Sequence, residues 1–299
     1  MDARLRTLAI VVACCFSLYA VCARAPSQPQ PAPSDAETEV LLDRVIANQK
    51  KDDLAQMTFE RIERQEFRKL ASDPQPSQVK IFRAVPAGTG VDRITLGADG
   101  KPGDLAAYRA ELKQLERALA LAAEGHEQRE DYEKFAKRQK DRADLIEATR
   151  TAFHYTFADR ERVGERLLAK YRVDPNPNFK PANRAAAIFS KVHGHIWIDE
   201  GAAELARADV EVTENVAIVG ILAKIYKGSH FMQERYEVAP EVWLPSFSQQ
   251  DFDGRKFFMA FAIHERTFFS QYRRIGSPKE ALQAIREELS HMTASNADP

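Results

Sequence analysis

The spacing of apolar residues changes several times along the chain, and each change predicts a different element. Behind Arg4 and Arg6, positions 8–21 are almost wholly apolar and show no period. Pro26, Pro29, Pro31 and Pro33 follow, which predicts an extended spacer. Next, Val40, Leu41, Leu42, Val45 and Ile46 recur at helical spacing, and Ser34 or Asp35 can cap the helix start. Beyond Gln56, Met57, Phe59 and Phe67 alternate with Thr, Glu and Arg, the pattern of a strand with one wet face. The alternative is a helix continuing to Leu70, since Glu and Arg are good helix formers. Pro74 and Pro76 turn the chain into strands predicted at 79–85 and 91–96, with Gly88-Thr89-Gly90 between them.

The middle of the chain reads differently. Leu105, Tyr108, Leu112, Leu115 and Leu119 form one seam at alternating spacings of three and four. After Gly125 comes a second helix, more than half charged, with a thin stripe of Tyr132, Phe135 and Ile146. Together they predict a helical hairpin inserted at 103–148. From there to residue 275 the pattern is strands at 151–158, 166–173, 186–199, 205–213, 216–227, 230–238, 241–249, 256–265 and 267–273. Turn residues such as Asp174-Pro175-Asn176-Pro177 and Asp253-Gly254 separate them. With no room for crossover helices, this is an antiparallel meander. A last helix is predicted at 278–289, with proline in its first turn.

Composition narrows the class. A chain of 299 residues that is 44% hydrophobic can bury a sizeable core. A mean hydropathy of −0.44 argues against a multi-pass membrane protein. A net charge of −1 gives no electrostatic case for nucleic acid. Residues 1–25 read as an export signal cut after Ala23, because the apolar run is shorter than the ~20 residues a spanning helix needs. An uncleaved anchor is the alternative, and Val11-Val12-Ala13-Cys14 also fits a lipid-anchored form. Cys14, Cys15 and Cys22 are the three cysteines, so the mature chain is expected to lack disulfides, thiol nucleophiles and Cys-ligated zinc. The expected order is signal peptide 1–25, Pro-rich linker 26–34, one α+β domain over 35–292 and a flexible tail at 293–299. The expected location is the bacterial periplasm or envelope.

Candidate chemistry is sparse. G-x-S-x-G, H-E-x-x-H, a Gly-rich phosphate loop and G-x-G-x-x-G are all absent, so no catalytic residue and no cofactor is expected. His193-Gly194-His195 places two imidazoles on one strand face, and a metal hydrolase would take a third ligand from His154, His230 or His264. Aromatic residues crowd into 226–272. Phe257, Met259, Phe261 and Ile263 share one face of the strand at 256–265, and Phe258, Ala260 and Ala262 share the other. A strand apolar on both faces is expected to be covered on both. With Trp197 and Trp243, Phe257, Met259, Phe261 and Ile263 are the expected lining of an apolar binding site.

The run Val192-His193-Gly194-His195-Ile196-Trp197-Ile198-Asp199, the later Gly220-Ile221-Leu222-Ala223-Lys224 and the phrase Val242-Trp243-Leu244-Pro245 carry a resemblance. They resemble exported bacterial proteins with the β half-barrel of lipoprotein carriers and envelope-stress regulators, the LolA, LppX and RseB type. The resemblance implies a strongly curved antiparallel sheet flanked by an N-terminal helix, the inserted hairpin and a C-terminal helix. It assigns no binding residue by motif. The reading is a non-enzymatic carrier for an apolar small molecule, a lipid or an acylated lipoprotein. A scaffold that docks an envelope protein, its concavity filled by its own helices, is the alternative.

Overall fold

The structure is a computed structural model that describes residues 31–183, 185–217, 223–257 and 259–294. The export signal with its three cysteines, most of the Pro-rich linker, residues 295–299, Phe258 and residues 218–222 lie outside the described residues.

Helix α1 (Asp35–Ala55) starts at Ser34, whose hydroxyl accepts from the Glu37 amide while the Glu37 carboxylate accepts from the Ser34 amide. That reciprocal cap satisfies two donors the helix would otherwise leave open. After a 3₁₀ turn at Gln56–Thr58, the chain enters β1 (Phe59–Phe67), so the strand reading prevails over a continued helix. Strands β2 (Gln78–Ala87) and β3 (Gly90–Leu96) follow. Next come helices α2 (Leu105–Glu124) and α3 (Arg129–Ala152). Strands β4 (Phe153–Val163), β5 (Arg166–Pro175), β6 (Val192–Asp199) and β7 (Glu204–Val212) continue the sheet. The short β8 (Val216–Ala217) and β9 (Ala223–Ile225) precede β10 (His230–Ala239), β11 (Val242–Lys256) and β12 (Met259–Arg274). Helix α4 (Pro278–Ala294) closes the described chain, capped by Ser277 and Glu280 in the same reciprocal way as α1. No helix among the described residues is long and apolar enough to cross a membrane.

The fold is α+β around one open antiparallel sheet in the order β3-β2-β1-β12-β11-β10-β7-β6-β5-β4, with β9 on β11 and β8 on β9. Its ends do not meet, so it is not closed into a barrel. It does curl. Phe153 of β4 and Phe252 of β11 line the same cavity, yet five strand spacings would hold those strands about 24 Å apart in a flat sheet.

Helices cover opposite faces at the two ends of the sheet. On one face, Leu41, Leu42 and Val45 of α1 pack on Ala169 and Tyr171 of β5 and Ile198 of β6; Val40, beside that stripe, is exposed. On the other face, Leu112, Leu115 and Leu119 of α2 and Leu282 and Ile285 of α4 cover Val85 of β2 and Ile94 of β3. There Arg83 of β2 donates to Glu60, Tyr108 and Glu288, tying the sheet to both helices.

Three expectations are corrected. Helices α2 and α3 do not make a paired hairpin: α2 packs on α4, while α3 crosses to α1. The α2 seam needs an apolar partner, and α3 is too polar to supply one; its buried residues reduce to Ala152. Residues 186–191 form a 3₁₀ turn, not the start of a strand. The stretches at 241–249, 256–265 and 267–273 are two long strands. Asp253-Gly254 is not a turn, because Gly254 pairs with Phe261 inside the β11–β12 ladder. Glycine is needed there because an added Cβ would lie 2.6 Å from the Phe261 ring.

Candidate functional site

The curled face of the sheet is largely apolar because most side chains of one parity on β4, β5, β6, β7, β10 and β11 are apolar, with polar Gln233 of β10 among them. Phe153 and Tyr155 of β4, Ile196 of β6, Val210 of β7, Phe231 of β10 and Phe252 of β11 form its floor. Helix α1 closes one side with Leu42, Val45 and Ile46, and α3 closes another with Leu145 and Ile146. The helices cover this concavity without filling it: a cavity of about 370 Å³ remains. That volume lies within the ~300–1,000 Å³ typical of small-molecule sites. The Tyr155 hydroxyl is turned aside and donates to the Thr149 carbonyl at 2.8 Å. Burial pushes that phenol up, so it stays neutral.

Gln49, Ile146 and Gln233 line both this cavity and a small polar pocket of about 80 Å³ beside it. In that pocket Arg235 of β10 donates to the Asp52 carboxylate of α1 at 2.8 Å and to the Trp243 carbonyl. Glu204 of β7 approaches the same guanidinium at 3.8 Å. Asp52, Glu204 and Arg235 are all buried, so two carboxylates share one cation away from water. Burial, followed by the negative charge of Asp52, pushes the Glu204 carboxyl up to about 8. Burial also raises Asp52, against the pull of Arg235. Asp52 Oδ1 and Glu204 Oε2 have no other hydrogen-bond donor. One proton held between them satisfies both. This cluster fixes α1 to the sheet at the cavity's polar end.

Chemically, the arrangement suits binding. A ligand entering the cavity gains about 0.8 kcal/mol for each methylene it removes from water, with Gln49, Gln233, Glu211, Ser229 and Thr149 as the polar groups of the lining.

The residues expected from sequence stand elsewhere. Trp197 and Trp243 lie on the opposite face of the sheet, packed with Leu168. Lys170 and Arg207 sit 4.9 and 4.6 Å from the Trp197 ring, and Arg166 sits 4.4 Å from that of Trp243. Phe257, Met259, Phe261 and Ile263 lie at the outer end of the β11–β12 hairpin. Phe257, Met259 and Ile263 are exposed, so the strand expected to be covered on both faces is uncovered there. None of these six residues lines the cavity. The residues that do, such as Ile196 and Val210, belong to strands whose alternation is visible in the sequence. What alternation omits is which parity the helices cover.

His193 and His195 share the face of Trp197, away from the cavity; the His195 ring stands 6.0 Å from that of Trp197. Among the described residues no group of three His, Cys, Asp or Glu side chains is placed to hold a metal ion, so His193 and His195 are not joined there by a third ligand. The glycine between the two histidines has the clearer role. Strand β7 passes so close that an added Cβ at Gly194 would lie 2.8 Å from the Val210 Cα.

No family model matches the chain, and no curated protein matches its sequence. Among solved structures, the chain is similar to the crystal structure of a DUF1329 family protein from Desulfovibrio piger. The match covers 79% of this chain and 92% of that one, at 10% sequence identity and a TM-score of 0.25.

Proposed function

We propose that this protein is a non-enzymatic carrier, exported to the bacterial periplasm or envelope, that holds a lipid or the acyl chain of a lipoprotein between its sheet and helices α1 and α3. The observation that carries this reading is the apolar cavity of about 370 Å³ on the curled face. Burial of apolar surface is the main favourable term the site can offer. Its polar end, at Gln49 and Gln233, gives a headgroup a place to face.

The test is delipidated protein titrated with a fluorescent fatty acyl probe, alongside native mass spectrometry of protein purified without delipidation. Saturable binding at one probe per chain, with a co-purifying lipid mass, is the expected result. No saturable binding and no bound lipid would overturn the proposal.

A further inference from the structure

The β11–β12 hairpin is longer than its neighbours. Strand β10 pairs with β11 only between Val242 and Asp251, and β1 pairs with β12 only between Glu265 and Arg274. The two strands continue together to the Lys256–Met259 pair, and among the described residues only the three-residue β9 pairs with them there, on the β11 side. Their outer five residue pairs therefore extend about 17 Å past the adjoining strands.

The chemistry of this projection is unusual for a surface. Met259 is 72% exposed, Phe257 51% and Ile263 41%. Phe257 is also held at φ 55°, a left-handed conformation that costs a bulky residue roughly 1–2 kcal/mol. At half exposure its ring gains little packing in return. Lys256 pairs with Met259 on the apolar face, while Arg255 and its partner Lys224 stand on the other face of the same hairpin end, and no ion pair among the described residues engages these three cations. The nearest acid, Asp253, turns toward His264 at 3.6 Å. The apolar strip is also continuous with the cavity: Phe252 on the cavity floor pairs with Ile263, and Phe261 and Met259 share that face on the way to the tip.

We propose that the outer end of this hairpin docks on an anionic lipid bilayer. Phe257 and Met259 enter the headgroup region, while Lys224, Arg255 and Lys256 contact acidic headgroups. Exposed apolar side chains at a hairpin end that carries cations on both faces match an interface with a hydrocarbon edge and negative charge. Burying Phe257 in the bilayer supplies the return that its strained backbone lacks in water. The strip from Met259 to Phe252 then joins the bilayer to the cavity mouth. This docking is independent of what the cavity holds.

The experiment is co-sedimentation with phosphatidylcholine vesicles containing about 30 mol% phosphatidylglycerol, and with vesicles of phosphatidylcholine alone. Wild-type protein is expected to bind the anionic vesicles about tenfold more tightly than the neutral ones. The double variant F257N/M259S should lose most of that binding. Its melting temperature should hold or rise, because asparagine tolerates the left-handed turn. R255E/K256E should lose only the anionic preference. The proposal is overturned if wild type does not sediment with anionic vesicles, or if F257N/M259S sediments equally. It is also overturned if sedimentation velocity without lipid shows a dimer that F257N/M259S disperses, which would make the tip a contact between copies.

Discussion

Asp52, Glu204 and Arg235 show what one buried cation can hold in place. Arg235 is 8% exposed and bridges a helix, a strand and the Trp243 carbonyl, so its neighbours are set by tertiary packing alone. Glu204 has its carboxyl raised from an ordinary 4.5 to about 8, chiefly by burial. A carboxyl raised on folding contributes stability that is fully present below pH 4.5 and is lost as pH climbs toward 8. Glu204→Gln keeps a donor toward Asp52 but cannot ionise. Urea unfolding across this range is expected to show the variant gaining on wild type between pH 4.5 and 8, and the gap levelling above. Parallel profiles would remove the shared proton from the account. None of this was legible in the sequence, where Glu204 is one acid among many in a charge-alternating run.

Helices α2 and α3 are neighbours in sequence and unlike in how they are held. Helix α2 buries Leu112, Leu115 and Leu119 almost completely, a seam that the sequence displays outright. Helix α3 is joined to α1 by Lys50–Glu147 at 2.5 Å, Arg150–Asp43 at 2.6 Å and an Arg142–Asp53 pair. The exposed pairs, Lys50–Glu147 and Arg150–Asp43, contribute about 0.2–1 kcal/mol each, and at 1 M salt the screening length falls to about 3 Å. Since Leu145 and Ile146 of α3 wall the cavity, loosening this seam is expected to ease entry and exit there. Glu147→Lys, which sets a cation against Lys50 and Arg150, is expected to speed release of an acyl probe several-fold, with little change in melting temperature. High salt should do the same to wild type and little to the variant. Release rates that ignore both changes would show that α3 is not the moving wall. The period that identified these helices also suggested they pair with each other. It could not show that α4 offers the α2 seam a better apolar partner, because Ala281, Leu282 and Ile285 are far away in sequence.

For the molecule as a whole, curvature and coverage decide where a ligand fits. The sheet curls over α1 and α3 at one end and turns its other face to α2 and α4 at the other, so the buried clusters under the two helix pairs differ in character. The first retains a cavity; the second does not border it. Ala208, in the middle of the cavity floor on β7, is where a larger side chain would fill that space. Ala208→Phe is expected to lower acyl-probe affinity at least about tenfold while unfolding free energy moves by less than about 1 kcal/mol. Undiminished affinity would place the ligand elsewhere.

The sequence by itself determined the elements: the capped first helix, the α2 seam, and a succession of antiparallel strands too closely spaced for crossovers. These follow from periodicity and turn chemistry, which act between residues a few positions apart. Only the tertiary structure decided which strand face the helices cover, that Trp197 and Trp243 stand on the opposite face, and that the aromatic strand ends in an exposed tip. Alternation divides a strand into two faces without assigning either one an inside. That assignment comes from long-range pairing, from packing against helices distant in sequence, and from how far each strand outruns its neighbours.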